Sequence, residues 1–279
     1  MRTFRLIILV AAAVLFLSPR SNSQVADAKG KCVGGNCASG EGTMLYPDGR
    51  KYVGHFVNGK RDGEGKYTFP NGRVYEGDWK NDMRTGKGKI IYPNGEWYAG
   101  SFVEGRFQGI GEYHYMNGEV YDGHWDNDLR NGEGTHTWSD GRKYVGDWKL
   151  DGRTGRGAFY FPNKDVYTGE FKDGQFTGEG TLVWADGKSY SGQWLAGLPH
   201  GKGVAVFTEK SRFEGVFELG EYEGTGTWTF PDGARFVGEW KKSRRSGTGA
   251  EYNKSGEMTR QGVWIDDKYQ SQTFTTIPQ

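Results

Sequence analysis

The chain places aromatic residues and glycine at fixed positions with a period of 23 residues. Aligned on Tyr-x-Gly-x-aromatic, nine repeats begin at residues 52, 75, 98, 121, 144, 167, 190, 213 and 236. In all nine, position 1 is Tyr or Phe, position 3 is Gly and position 5 is Trp or Phe. Positions 1, 3 and 5 share one face of a β-strand because side chains alternate, so the period predicts one β-hairpin per repeat.

Glycine also occupies positions 12 and 14 of every repeat. If positions 7–10 form the hairpin turn, position 5 faces position 12, position 3 faces 14 and position 1 faces 16. A second turn of five residues would place position 14 opposite position 5 of the next repeat, and position 18 opposite its position 1. Each position-5 ring is then expected to cover glycines of both neighbouring strands. Each position-1 ring is expected beside an aromatic such as Phe69, Tyr92 or Tyr115 at position 18.

The stretch Arg84–Lys89, RTGKGK, looks like a phosphate loop, but its glycines occupy positions 12 and 14 of the second repeat. We expect Gly86 to make room for Trp79 and Gly88 to make room for Phe102. The predicted packing residues include Gly54, Gly63, Gly65, Gly77, Gly86, Gly88, Tyr75, Trp79, Trp125, Trp148, Trp194 and Trp240.

The pattern YxGxW…GxGxxxxxxG at this period resembles the MORN (membrane occupation and recognition nexus) repeat family. The resemblance covers residues 40–264, with full repeats over 52–258 and half repeats at both ends. It implies an all-β fold, an elongated single-layer antiparallel sheet in which each repeat is one hairpin of a twisted, solenoid-like ribbon. It also implies non-catalytic work: scaffolding, protein contact, dimerisation and, in some members, association with membrane phospholipids.

The composition agrees with a thin, ring-covered sheet. Glycine occurs 47 times, aromatics make up 15% of residues and the mean hydropathy is −0.76. Such a chain cannot fill a thick aliphatic core, yet it has too many aromatic residues for simple disorder. Burying an aromatic side chain contributes about 1.5–3 kcal/mol, more than the roughly 0.5–1 kcal/mol cost of a glycine in a strand.

The first residues are typical of a secretory signal peptide, which we assign to residues 1–23. The apolar run Leu6–Leu17 spans 12 residues, or about 18 Å as a helix, well short of a bilayer core of about 30 Å. Cleavage is expected after Ser23, with Ala26–Ala28 as a second candidate and an uncleaved anchor as the alternative. Residues 1–23 contain three of the 36 basic residues and none of the 35 acidic ones. The remaining chain has a net charge of −2 and no general attraction to nucleic acid.

Export bears on the two cysteines, which lie in the N-terminal segment 24–39. Cys32 and Cys37 bracket four residues, two of them glycine, and this spacing allows a disulfide in an oxidising compartment. Free thiols and half of a metal site are the alternatives. The metal alternative is weak because neither a second Cys pair nor a nearby His completes the site.

Groups that could take part in catalysis are scattered along the repeats. The histidines are His55, His114, His124, His136 and His200. His55 and His124 share position 4 but are three repeats apart, too far to ligate one metal, so we expect surface or packing roles. Carboxylates fall mostly on the outward positions 2 and 4, for example at Glu76, Asp78, Glu170 and Glu239. No nucleophile elbow, Walker-type loop or Ser–His–Asp grouping is present, so neither a metal nor a cofactor is predicted.

Basic residues recur at position 10, as Arg61, Arg84, Arg130, Arg153 and Arg245. In the predicted sheet they would line one long edge, with acidic residues such as Asp82 and Asp128 offsetting their charge. The densest group is Lys241, Lys242, Arg244 and Arg245. A solvated turn is one interpretation of this group, and a patch that docks phospholipid headgroups or an acidic partner is the other.

An open sheet has two edge strands that need protection. At one end the cysteine loop is expected to fold back over the strand that begins near Gly40. At the other, Asp266, Asp267 and Lys268 place charges at the start of the polar tail, residues 265–279.

We therefore predict a non-catalytic, exported scaffold, in a periplasm, on a cell surface or outside, that binds a protein partner or its own copy as a homodimer. A module for membrane phospholipid or glycan is the alternative, and a hydrolase with carboxylates on the sheet face is a remote one.

Overall fold

The computed structural model describes residues 29–271, so the predicted signal peptide and the end of the predicted tail lie outside it. The described residues form 22 strands of one antiparallel sheet. No helix in this range is long and apolar enough to cross a membrane. The prediction of an all-β, single-layer sheet built from hairpin repeats is confirmed.

The chain divides into two compact units, with the division between Arg153 and Thr154. The strands of the first unit are β1 (Lys31–Gly35), β2 (Gly40–Leu45), β3 (Lys51–Val57), β4 (Lys60–Thr68), β5 (Val74–Lys80), β6 (Met83–Ile91), β7 (Trp97–Val103), β8 (Arg106–His114), β9 (Val120–Asp126), β10 (Leu129–Thr137) and β11 (Lys143–Lys149).

Strand β12 (Gly152–Tyr160) contains the division. The strands of the second unit are β13 (Val166–Lys172), β14 (Gln175–Val183), β15 (Ser189–Leu195), β16 (Leu198–Val206), β17 (Arg212–Glu218), β18 (Glu221–Thr229), β19 (Arg235–Lys241), β20 (Arg244–Tyr252), β21 (Met258–Ile265) and β22 (Lys268–Ser271). Strand β1 lies in the predicted N-terminal segment and β22 in the predicted tail.

Each hairpin closes through a two-residue turn at positions 7 and 8. Asn58 and Gly59 have φ of 50° and 75°, as in the type I′ turn that suits the twist of paired strands. In β3–β4 the position-1 and position-3 pairings are as predicted, with Gly54 opposite Gly65. The prediction for position 5 is wrong, because Phe56 faces Arg61 at position 10 instead of position 12. The shorter turn moves position 10 into the strand, and a bulge absorbs positions 11–13.

The link between repeats spans the predicted five residues, but its register differs from the prediction. Phe69 donates its N–H to the carbonyl of Arg73, 2.8 Å away. Strands β4 and β5 then place Gly65 opposite Gly77. Position 14 therefore faces position 3 on both sides, position 16 faces position 1, and position 12 faces position 5 of the next repeat. The predicted pairing of position 18 with position 1 is wrong because the five-residue link occupies positions 18–22, one residue earlier than assumed, so that Thr68 pairs with Val74.

The bulge explains the glycine at position 12. The prediction that Gly86 makes room for the Trp79 ring is therefore wrong. Within residues 29–271, φ is positive at this position in all nine repeats, with Gly86 at 53°. Only glycine adopts this conformation without steric cost. A Cβ at Gly86 would meet the carboxylate of Asp78 on the opposite face. That carboxylate accepts the Lys87 N–H at 2.8 Å, so the anion held by RTGKGK belongs to the chain itself.

Candidate functional site: the aromatic face

One side of the sheet carries a single layer of rings. We call this side the aromatic face and define it by the side chains at positions 1, 5, 10, 16 and 18. The position-1 rings from Tyr52 to Phe236 are at most 1% exposed. Tyr52 packs edge-on against Phe56 and Trp79, with ring centroids 5.0 and 5.5 Å apart. The core of this protein is therefore one ring thick.

The position-1 ring lies over the facing glycines at positions 3 and 14. A Cβ at Gly88 would lie 2.5 Å from the Tyr75 hydroxyl, so our assignment of Gly88 to Phe102 is wrong. The Tyr75 hydroxyl donates to the carbonyl of Asp78, 2.9 Å away. Burial raises the pKa of Tyr75 well above its ordinary value of 10, so the phenol keeps this proton. The ring that covers the glycines comes from position 1, not from position 5.

Tryptophan at position 5 is held by its indole. Trp79 donates Nε1–H to the carbonyl of Gly65 at 3.2 Å. The same bond from position 5 to the preceding position 14 recurs at Trp125, Trp148, Trp194 and Trp240, at 2.9–3.1 Å. These indoles link consecutive repeats, which gives the predicted Trp residues a structural role.

Position 10 completes this layer beside position 1. It holds an aromatic ring or an arginine in eight repeats and Pro199 in the seventh. Phe107 stacks on Tyr98 with centroids 3.8 Å apart, and Tyr222 stacks on Phe213 at the same distance. Arg130 instead lies 5.6 Å from the Tyr121 ring and 4.4 Å from Trp148. The arginines at position 10 lie next to the hairpin turns, and there they fold over the rings as cation–π partners, a contact that was not predicted.

An aspartate at position 8 of the next repeat satisfies several of these arginines. Arg130 donates its backbone N–H and Nε to Asp151 Oδ1 at 3.0 and 2.9 Å. Arg61 makes the same two bonds to Asp82, at 2.9 and 3.0 Å, and its residue is 6% exposed. The charge offset expected from the aspartates is thus a specific, partly buried ion pair.

His136 extends the contacts of Arg130 to a second carboxylate. Arg130 Nη1 lies 3.0 Å from His136 Nδ1, and His136 Nε2 lies 3.1 Å from Glu119 Oε2. Arginine can only donate, so Nδ1 accepts and Nε2 carries the proton that it donates to Glu119. Burial, reinforced by Arg130, Arg153 and Arg142, lowers the pKa of His136 to about 3. His136 is therefore neutral and has the packing role expected for the histidines, stacked 4.3 Å from Trp138.

Position 18 forms the outermost row of rings. Phe69 packs on Tyr67 of the same strand, 4.7 Å away, and Tyr115 packs on Tyr113 at 4.5 Å. Eight consecutive repeats have an aromatic residue here. The eight are Phe69, Tyr92, Tyr115, Trp138, Phe161, Trp184, Phe207 and Phe230. Most are half-buried, Phe207 is buried and Phe230 is 38% exposed, so this row presents aromatic edges at the surface.

The four basic residues Lys241, Lys242, Arg244 and Arg245 do not form one exposed patch. Lys241 and Lys242 are exposed, and Arg244 lies 3.5 Å from Asp266. Arg245 turns onto the aromatic face, where it pairs with Glu251 at 2.7 Å. The structure therefore leaves two of the four cations without a carboxylate partner on their side chains among the described residues.

The two ends of the sheet differ from its interior. Cys32 and Cys37 form a disulfide, and β1 folds back against β2. A Cβ at Gly42 would lie 2.9 Å from Cys37 Sγ, so the disulfide takes the place that a position-1 ring has elsewhere. At the other end, Asp267 Oδ1 accepts the backbone N–H of Arg245 at 2.9 Å. Across residues 29–271, no group of three or more His, Cys, Asp or Glu could hold a metal.

A family model for the MORN repeat matches nine consecutive segments of this chain: residues 52–72, 75–97, 98–120, 121–141, 144–166, 167–189, 190–212, 213–235 and 236–258. The chain belongs to the MORN repeat family. Comparison with curated protein sequences gives no significant match.

Several solved structures are similar to this MORN repeat protein at low identity. The TCP10 domain of Danio rerio CPAP, in complex with a peptide of STIL, is 16% identical with a TM-score of 0.38, covering 80% of this chain and 98% of that one. The Drosophila melanogaster SAS-4 (dCPAP) TCP domain, in complex with a proline-rich motif of Ana2, is 14% identical with a TM-score of 0.36, covering 70% and 94%. Virginiamycin B lyase from Staphylococcus aureus is 11% identical with a TM-score of 0.15, covering 83% and 72%. Scores this low have no bearing on function.

The contact between positions 8 and 10 was not predicted, although the sequence contains a signal for it. Arg61 and Arg130 are each followed 21 residues later by an aspartate, whereas Arg84 is followed by Gly105. The offset is visible in the sequence, but its meaning depends on the two-residue turn, which places position 8 of one hairpin beside position 10 of the preceding one.

Proposed function

We propose that the protein is a non-catalytic scaffold whose aromatic face binds a protein partner. The row of half-buried rings at position 18 carries this proposal. Aromatic side chains with one face packed and one edge open are enriched at protein interfaces, because they bury much area at little conformational cost. Membership of the MORN repeat family supports an interaction role.

Export is part of the proposal. The basic and apolar leader supports secretion to a periplasm, a cell surface or the outside, and the disulfide between Cys32 and Cys37 suits an oxidising compartment. Phospholipid binding and a homodimer are the competing modes. No observation comparable to the ring row favours either of them in residues 29–271.

Affinity capture from the native envelope fraction tests the proposal. The bait is the chain itself, compared with Tyr92→Ser/Tyr115→Ser, which removes two rings of the row. Tyr160→Ser, which removes a 39% exposed ring at position 17 on the opposite face, is the control. We expect a protein that the parent and the control retain and the double variant loses. Equal capture by all three baits would contradict the aromatic face as the contact surface.

Two further measurements separate the competing modes. Light scattering of the purified chain detects a homodimer. Co-sedimentation with anionic vesicles, with and without charge removal at Lys241, Lys242, Arg244 and Arg245, detects the membrane mode. Vesicle binding that depends on these four residues, without any captured protein, would replace the proposed function by the alternative.

A further inference from the structure

Arg84, at position 10 of the second repeat, lies on the aromatic face without a carboxylate partner. Its Nη2 donates to the carbonyl of Gly105 at 2.5 Å. Its guanidinium lies 5.6 Å from the Tyr75 ring and 5.5 Å from Phe102. Among the described residues, no ion pair to an acidic side chain accompanies these contacts. A guanidinium has five N–H donors, so this one has unused capacity.

Arg84 lacks the aspartate that pairs with other arginines at position 10. Arg61, Arg130 and Arg245 each contact an aspartate from the next hairpin, Asp82, Asp151 or Asp267. The residue in that place beside Arg84 is Gly105, and a Cβ built there would lie 3.6 Å from Arg84 Nη2. The position of the absent carboxylate is therefore adjacent to the guanidinium.

The position that holds a second carboxylate beside Arg130 holds an arginine beside Arg84. Beside Arg130, position 22 of the preceding repeat is Glu119, which is bonded to His136. Beside Arg84, the same position is Arg73, whose guanidinium lies 3.8 Å from the Phe69 ring. Arg73 Nε is buried and has no hydrogen-bond partner in residues 29–271. Burial, and next the positive charge of Arg73, lower the pKa of Arg84, while the nearby Tyr92, Tyr75 and Asp128 act in the opposite direction.

We propose that Arg73 and Arg84, with Tyr92 beside them, form a site for a carboxylate group of an acidic partner peptide. We call these three residues the Arg73–Arg84 site. The ligand would take the place that Asp151 and Glu119 hold next to Arg130. This inference rests on the proposed function, since it names the chemistry of the partner that the aromatic face would recognise.

A carboxylate fits this site because the fold already uses carboxylates in the equivalent places. Two guanidinium groups provide planar, charge-assisted donors. The Phe69 ring lies 3.8 Å from the Arg73 guanidinium, and the Phe102 ring lies 5.5 Å from that of Arg84. Both arginines are half-buried, so an extended side chain such as that of glutamate is needed to reach them.

Binding is measured by NMR on the purified chain expressed with its own leader, using the Nε–Hε signals of labelled arginine. The probes are a blocked octapeptide of alternating Glu and Ser, the same peptide with Gln for Glu, inorganic phosphate, and vesicles of phosphatidylserine and phosphatidylcholine. We expect the Glu peptide to shift the Arg73 and Arg84 signals saturably, and the Gln peptide to leave them unchanged.

Gly105→Asp is the decisive variant because it supplies the missing carboxylate and keeps both arginines. Asp82 and Asp151 adopt φ of 69° and 67° at the same turn position, so aspartate is compatible with the backbone of Gly105. We expect the Glu peptide to bind this variant at least about tenfold more weakly, the loss of one charge-assisted hydrogen bond. Gly197→Asp, beside Phe176 at position 10, is the matched control and should bind as the parent does.

Equal binding of the Glu peptide to the parent and to Gly105→Asp would overturn the inference. Equal binding of the Gln and Glu peptides to the parent would also overturn it. Preferential binding of phosphate or vesicles would also overturn it and indicate a phosphate site. If Gly105→Asp does not fold, Arg73→Gln decides by the same criterion. If the Glu peptide does not bind as expected but capture of a partner depends on the rings, the carboxylate site is rejected and the proposed function stands. If the peptide binds as expected but capture does not depend on the rings, the carboxylate site stands and the proposed function is rejected.

Discussion

The second and fourth repeats of this MORN repeat protein share their packing and differ in the surroundings of one arginine. Tyr75 and Tyr121 cover facing glycines in the same way, and Trp79 and Trp125 make the same indole bond. Arg130 contacts Asp151 and, through His136, Glu119. At the matching places around Arg84 stand Gly105, Ile90 and Arg73. The same ring layer therefore accommodates an arginine with carboxylate partners and an arginine without one, so the ring layer does not depend on these ion pairs.

The largest expected effect tests what the two repeats share. Gly88→Ala and Gly134→Ala each place a methyl group against the hydroxyl of the covering tyrosine, and each is expected to lower the free energy of unfolding by about 3 kcal/mol. Gly34→Ala, where the nearest atom lies 3.8 Å away, is the control and should change stability by less than about 0.5 kcal/mol. Thermal and urea unfolding measure all three. Unequal costs at 88 and 134 would show that the two ring layers are not equivalent.

The next effect tests the difference between the arginines. Arg130→Met leaves Asp151 and the His136–Glu119 pair without their cation and is expected to cost about 2 kcal/mol. This is less than the value for a fully buried pair because the Asp151 side chain is 26% exposed. Arg84→Met removes a cation that repels Arg73, and its cost should stay within about 1 kcal/mol, the scale of a lost cation–π contact. Urea unfolding compares them, and equal costs would refute the comparison.

Acid should destabilise the fourth repeat more than the second. His136 titrates at about 3 in the folded chain against an ordinary pKa of 6.5. Above 6.5 both folded and unfolded His136 are neutral, so it adds no pH dependence. As the pH falls from 6.5 towards 3, only the unfolded state gains the proton, and stability falls by about 1.4 kcal/mol per pH unit.

Between pH 6.5 and 5 this amounts to about 2 kcal/mol of stability lost. His136→Phe keeps a ring in the stack and should remove that part of the slope in unfolding measurements at the two pH values. Ile90→Phe, the same position in the second repeat, should keep the slope of the parent. The charged groups around His136 are Arg130, Arg142, Arg153 and Glu119, and an unchanged slope in His136→Phe would assign the pH dependence to other groups.

The smallest expected effect converts one repeat towards the other. Gly105→Asp should raise the free energy of unfolding by about 1 kcal/mol, because it gives Arg84 the bonds that Asp151 gives Arg130. Asp151→Gly should lower it by a similar amount. Opposite signs in thermal unfolding are the expected outcome, and a destabilised Gly105→Asp would show that Arg84 is already satisfied.

The architecture was predictable because the ring and glycine pattern repeats without insertion. Tyr52, Gly54 and Phe56 alternate on one strand, and nine copies make that alternation unambiguous. The register was less predictable. Shortening the turn to Asn58 and Gly59 moves every later pairing, and the sequence does not show whether the extra residues form a longer turn or a bulge.

The candidate site was predictable only in its composition. The arginines at position 10 were visible, but their placement on the rings depends on that same turn. The role of Arg73 could not be foreseen, because position 22 reaches position 10 only through the five-residue link. The sequence shows Gly105 where Asp82 and Asp151 stand in other repeats, yet this absence has meaning only once the carboxylate contacts of Arg61 and Arg130 are known.

The turn at positions 7 and 8 also has a genetic consequence. Position 8 accepts Gly, Asp or Ser at nearly the same φ, as Gly105, Asp151 and Ser243 illustrate. Glycine and aspartate codons can differ by a single base. A hairpin that follows an arginine at position 10 can therefore gain or lose a carboxylate beside that arginine in one mutational step, while the ring layer stays intact. Gene duplication that multiplies such repeats would thus multiply independent positions at which recognition of a partner can diversify.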